Sequence, residues 1–112
     1  MGLSTHILDT SLGTPVPGVD ILLSMQCDDA EWRDVATGTT DQDGRCKELL
    51  TEEELEATSY RLTFYTLPYF VDQRITPLYP HIEITFAVTD PTQHYHIPLL
   101  LTANGYTTYR GS

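Results

Sequence analysis

Two histidines spaced i and i+2, His94 and His96, are the residues in this chain whose types and spacing most directly suggest chemistry. On a strand that spacing sends both imidazoles to one face, with Tyr95 and Ile97 on the other. Histidine has a reference pKa of about 6.5, so a neutral imidazole can take a proton from water near physiological pH. Two imidazoles at one point can also begin a metal site. Zinc, however, needs a third and usually a fourth ligand, and no acidic or cysteine residue has a spacing that demands a place beside them. The expectation is therefore a metal-free pair. His6 near the start is a further candidate, whereas His81, outward on a regular strand, reads as a surface residue. The chain ends Tyr109-Arg110-Gly111-Ser112, and a tail of this composition is either frayed or docked and used.

The charge balance makes the few cations informative. The net charge is −10, from 16 acidic against 6 basic residues, which argues against nucleic acid and anionic membrane as partners, since both require clustered Lys and Arg. Arg45 follows Asp41-Gln42-Asp43-Gly44, a hairpin turn by composition. Read as a calcium loop, that stretch would place Thr39 at the first ligand position and Leu50 where a bidentate glutamate is required, so the spacing fails. The turn instead delivers Arg45 to the start of a strand, where a guanidinium can reach a cleft. Taken alone, Arg45 reads as an exposed turn residue, and Arg33, Arg61 and Arg74 read as solvated.

The elements that must position these groups are mostly strands. Leu3 to Asp9 is β-compatible, and Gly13, Pro15, Pro17 and Gly18 after it mark a rigid loop. Val19, Ile21, Leu23 and Met25 alternate with polar residues, Trp32 to Thr39 reads as a partner strand, and Tyr60 to Tyr65 alternates again. Leu67 to Ile75 is the one helix, with Pro68 suited to its first turn and Pro77 to its end. Thr51 to Glu54 has a capping-box pattern in an acidic loop. His81 to Val88 has the most regular alternation, with Ile82, Ile84, Phe86 and Val88 inward. Asn104-Gly105 then turns the tail into a hairpin whose second strand starts at Tyr106. Short strands at regular intervals with one helix describe a single antiparallel β-sandwich domain, residues 1–112.

Several classes fall away. No run of about 18 apolar residues spans a membrane. The N-terminus lacks a basic start and its apolar run is broken by His6 and Asp9, so no signal peptide is expected. Met1-Gly2 suggests myristoylation, but His6 stands where that motif wants Ser or Thr. Cys27 and Cys46 are expected to be reduced in a cytoplasmic protein, with one disulfide as the alternative.

His94-Tyr95-His96-Ile97-Pro98-Leu99-Leu100-Leu101 with the terminal Tyr109-Arg110-Gly111-Ser112 resembles the signature of the 5-hydroxyisourate hydrolases, the transthyretin-like enzymes of urate degradation. Leu3-Ser4-Thr5-His6-Ile7-Leu8-Asp9-Thr10, Gly13-Thr14-Pro15-Val16-Pro17 and Asp43-Gly44-Arg45-Cys46 extend the resemblance from end to end. It implies a transthyretin-like sandwich of two four-stranded sheets with one short helix, assembled as a homotetramer with sites between dimers. It also implies hydrolysis of 5-hydroxyisourate to 2-oxo-4-hydroxy-4-carboxy-5-ureidoimidazoline without cofactor or metal. On this reading His6, Arg45 and His96 are catalytic, and Tyr109, Arg110, Gly111 and Ser112 line the substrate site. Either His6 or His96 serves as the base. One departure is Thr102-Ala103-Asn104-Gly105, where the family commonly has Ser-Pro and a bulky residue. The rival expectation is a transthyretin-like carrier of small ligands without catalysis; it should lack both the terminal tetrapeptide and the paired site histidines.

Overall fold

A computed structural model describes residues 2–112; Met1, and with it the first residue of the expected domain and of the rejected myristoylation motif, lies outside them. Among the described residues the order is β1 (Leu3–Asp9), β2 (Thr14–Pro15), β3 (Asp20–Gln26), β4 (Trp32–Thr39), β5 (Arg45–Leu50), β6 (Ser59–Tyr65), α1 (Leu67–Asp72), β7 (Ile82–Ala87), β8 (Tyr95–Leu101) and β9 (Tyr106–Thr108). The strands form two sheets, one ordered β4-β3-β6-β7 and the other β2-β1-β8-β9 with β5 also on β1. No described helix is long and apolar enough to cross a membrane.

The second sheet has five strands rather than the expected four, for a simple reason. One edge of β1 is occupied along its whole length by β8, from Leu3↔Tyr95 to Asp9↔Leu101. The other edge is divided: β5 pairs with residues 3 to 6 and β2 with Leu8 and Asp9. Five strands thus fill four positions. A second difference is that β1 and β8 run parallel, so the sandwich is not wholly antiparallel. The chain's first and penultimate strands lie side by side only because everything between them serves as the crossover.

Period-two alternation decides which residues enter the core. Leu3, Ile7, Tyr95, Ile97, Leu99 and Leu101 point inward and are at most 6% exposed. They meet Ile21, Leu23, Leu62, Phe64, Ile82 and Ile84 from the opposing sheet in one apolar cluster. Full burial of each such side chain stabilises by about 1.5–3 kcal/mol, which makes this layer the main reason the strands hold their register. The same alternation sends Ser4, His6, His96 and Pro98 to the outer face of the five-stranded sheet.

The helix is shorter than the expected Leu67 to Ile75. Arg74 adopts a left-handed φ of 60°, and the N–H groups of Arg74 and Ile75 return to the carbonyls of Val71 and Phe70 at 2.9 and 3.0 Å. This pair of hydrogen bonds closes the helix before Pro77 is reached. Tyr69 anchors it, donating to the Asp9 carboxylate at 2.6 Å. Arg61 is not the solvated arginine expected: it is half-buried and its guanidinium lies 4.6 Å from the Trp32 ring centre. Cys27 and Cys46 are free thiols, each half-buried.

Candidate functional site

Arg45 is positioned by a corner, not by the hairpin expected from Asp41 to Gly44. The strands on either side, β4 and β5, belong to different sheets. Asp41 organises the corner: its carboxylate accepts the N–H groups of Asp43 at 2.9 Å and Arg45 at 3.0 Å. Gly44 has φ +73°, and a Cβ there would come within 2.6 Å of the Ile7 carbonyl oxygen and 2.9 Å of the Val16 nitrogen. Only glycine satisfies both conditions, since left-handed φ and close backbone approach are what a side chain forbids. The Gly44 carbonyl accepts the Ile7 N–H at 2.8 Å, which hooks the corner onto β1 beside His6.

Strand register then brings the chemistry together. His6 is directly opposite Arg45 across the β1–β5 ladder, and Ser4 is opposite His96 across β1–β8. Paired residues share a face, so His6, Arg45, Ser4 and His96 all stand on the outer surface of the sheet. The rings of His6 and His96 are 6.3 Å apart at 19°, and those of His94 and His96 are 6.4 Å apart at 14°. A cleft of about 370 Å³ opens here, lined by Ser4, Arg45, Lys47, His94, His96 and Ser112. Among the described residues no group of three or more His, Cys, Asp or Glu side chains is placed to hold a metal ion.

The electrostatics around His6 and His96 disfavour imidazolium. Burial, and then the Arg45 charge, hold His6 below the ordinary imidazole value, with Asp41 opposing them. His96 is lowered in the same order by burial and Arg45, and further by His6 and His94. Desolvation and like charge both penalise imidazolium. A neutral imidazole beside a permanent guanidinium can accept a proton from water while the guanidinium holds negative charge developing on a carbonyl oxygen.

The tail divides between two places. Gly111 donates its N–H to the His96 carbonyl at 2.7 Å, and Ser112 reaches the histidine cleft. Tyr109 and Arg110 instead border a neighbouring space of about 280 Å³ with Phe86, Tyr95 and Ile97. The Arg110 guanidinium lies 4.2 Å from the Tyr95 ring centre and donates to the Gln93 side chain at 2.9 Å and the His94 carbonyl at 3.2 Å. Within one chain, then, Arg110 fastens the tail to the segment before β8 rather than lining the histidine cleft.

Sequence reasoning missed Ser4 and Lys47. Both were within reach of the period-two rule, because Ser4 is two residues from His6 and Lys47 two from Arg45, on the same faces.

Known proteins resemble this chain in sequence and in fold. Residues 3–111 match the family described as HIUase/Transthyretin. The 5-hydroxyisourate hydrolase of Salmonella typhimurium is 44% identical over 110 residues, spanning 98% of this chain and 80% of that protein. The enzyme of the same name from Mus musculus is 40% identical, spanning 98% of this chain and 94% of its own. Among solved structures, Klebsiella pneumoniae 5-hydroxyisourate hydrolase superposes with a TM-score of 0.86 at 34% identity, covering 99% of this chain and 98% of that one. Sparus aurata transthyretin superposes with 0.91 at 35%, covering 98% and 96%. With its fold and nearly its whole length matched, the chain belongs to the HIUase/transthyretin family.

Proposed function

We propose that this protein hydrolyses 5-hydroxyisourate to 2-oxo-4-hydroxy-4-carboxy-5-ureidoimidazoline. The observation that carries the reading is the convergence of His6, Arg45 and His96 on one face of the five-stranded sheet, beside the Ser112 end of the chain. A neutral imidazole takes a proton from water as the water oxygen bonds to a ring carbonyl carbon, and the carbonyl oxygen becomes an anion facing Arg45. The anion then collapses, the ring carbon–nitrogen bond breaks, and the proton passes from imidazolium to the departing nitrogen. The new carboxyl group remains on the five-membered ring, which stays closed, and the departing nitrogen becomes part of the ureido group. Burial and the Arg45 charge lower the pKa of both His6 and His96, which favours the neutral form that the first step needs.

Adding freshly made 5-hydroxyisourate tests the reading. Ring opening above the spontaneous rate, without added metal and insensitive to chelator, is expected; a rate equal to buffer overturns it. A carrier reading has one observation in its favour, since sea bream transthyretin in complex with thyroxine superposes with a TM-score of 0.93 at 35% identity. A carrier would release its ligand unchanged, so the same assay separates the two.

The assembly we propose is a homotetramer with sites between dimers, which would bring a second copy to the open histidine face. Light scattering should give four chains, and a fully active monomer at nanomolar concentration would exclude it. The free, half-buried Cys27 and Cys46 fit a reducing cytoplasmic compartment.

A further inference from the structure

Ser4 stands between two imidazoles. Its Oγ is 2.8 Å from Nδ1 of His96 and 3.2 Å from Nε2 of His94, and the residue is only 7% exposed. The parallel register that sets Ser4 opposite His96 produces the first contact. The stacking of His94 on His96 produces the second.

A serine hydroxyl carries one proton, so it can donate to only one of the two rings. In one arrangement His94 Nε2–H donates to Ser4, and Ser4 donates to Nδ1 of His96. The neutral His96 ring then has its hydrogen on Nε2 and has no lone pair there. In the other, His96 Nδ1–H donates to Ser4 and Ser4 donates to Nε2 of His94, which leaves Nε2 of His96 with a free electron pair. The remaining edge of the His96 ring is covered: a Cβ on Gly111 would come within 2.6 Å of its Cδ2. Nε2 is thus the nitrogen left for chemistry.

We propose that Ser4 and His94 are positioning residues that set the tautomer of His96, holding its hydrogen on Nδ1 so that Nε2 faces substrate as a base. When Nε2 then takes a proton from water, the Nδ1–H bond to Ser4 becomes charge-assisted and stronger, so the pair supports the state that forms during reaction. No proton leaves the pair in that step. The choice between the two arrangements rests on the hydrolase reading above, which needs a free electron pair on Nε2; the Ser4 contacts with both rings do not.

Histidine-labelled protein, studied at about pH 8 to keep reference imidazoles neutral, gives a direct test by long-range proton–nitrogen NMR. Wild-type His96 should show a protonated Nδ1 and an unprotonated Nε2. Ser4→Ala should shift the hydrogen towards Nε2 and lower kcat about tenfold, or 1.4 kcal/mol, the size of one ordinary hydrogen bond, with KM changed less than about twofold. His94→Leu should act in the same direction. His94→Gln, whose amide oxygen can accept from Ser4, should turn over faster than His94→Leu. A wild-type His96 protonated on Nε2 overturns the inference. So does a Ser4→Ala protein that loses activity while its His96 tautomer is unchanged, because that is a packing role. If Ser4→Ala does not fold, the two His94 variants decide by the same signals. If wild type fails to open 5-hydroxyisourate, the hydrolase reading falls, and the NMR comparison still decides the tautomer.

Discussion

Gly111 donates its backbone N–H to the carbonyl of His96 at 2.7 Å, and its Cα lies so close to that ring that a Cβ would come within 2.6 Å of Cδ2 and 3.1 Å of the Pro98 ring. The C-terminal tail is therefore packed against a proposed catalytic residue, and glycine is required there for space. Gly111→Ala must rotate the His96 ring or lift the tail. A displacement of about 1 Å can cost on the order of a hundredfold in rate, so turnover should fall by one to two orders of magnitude with near-native circular dichroism. An unchanged kcat would show that neither movement reaches the reacting atoms.

Removing Tyr109 to Ser112 altogether should leave a folded sandwich, because β9 ends at Thr108. Its pairs with β8, from Leu99↔Thr108 to Leu101↔Tyr106, remain intact. The truncated chain loses the Arg110 contacts with Tyr95, Gln93 and His94 and the Ser112 wall of the cleft. Activity should drop at least about a hundredfold. Thermal unfolding and turnover measured on the same preparation distinguish this from a merely frayed end, which would leave turnover intact.

How much of this was legible beforehand depended on the range of the interaction. The β-compatible run Leu3 to Asp9, the His94-x-His96 spacing and the Asn104-Gly105 turn are local, and β1, β8 and β9 lie where they point. The parallel pairing of β1 with β8 joins Ser4 to a partner 92 residues away, and no local pattern encodes such a distant choice. The Asp41 to Gly44 corner has hairpin composition because an acidic side chain bonding successive N–H groups and a left-handed glycine serve either kind of turn. Which turn forms depends on the Gly44 contact with Ile7, made in the folded sheet. Arg110 likewise has no sequence signal for stacking on Tyr95. The resemblance of the terminal tetrapeptide implies that all four residues line the substrate site, and nothing in it encodes a separate place for Arg110 on Tyr95.

Asp9 offers a test of stability separate from the histidine face. It is 3% exposed, and its carboxylate accepts the N–H groups of Ser11 at 2.9 Å and Leu12 at 3.1 Å besides the Tyr69 hydroxyl at 2.6 Å. Burial, and then the bond to Asp9, push the Tyr69 hydroxyl up to about 12. Tyr69→Phe removes one of three donors to a buried anion and should cost about 2 kcal/mol, within the range for hydrogen bonds to charged groups. Urea unfolding would read that loss as a lower midpoint at unchanged slope. Because Asp9 and Tyr69 do not line the cleft, kcat should stay within about twofold of wild type.

The acid limb of activity follows from the charges on the histidine face. His6 and His96 are both held below the ordinary imidazole value, by burial first and by Arg45 second. The base stays neutral down to a pH below about 6.5, and the rate should fall only as pH drops through the lowered values. The sign for stability is the same. A histidine whose folded pKa lies below its unfolded one takes up protons on unfolding, so stability is full above the unfolded value and declines as pH falls towards the folded one. Arg45→Ala removes the second cause of both shifts and leaves burial in place, and for His6 it leaves Asp41 pulling the other way. The acid limb should therefore move to higher pH, while the rate at its plateau falls by the order of a hundredfold expected for one preorganised charge contact. Rate against pH for the two proteins separates these effects. A lowered plateau with an unmoved limb would mean that Arg45 acts on substrate without setting the protonation of the base. A limb displaced to lower pH would show that neither His6 nor His96 is the group that titrates.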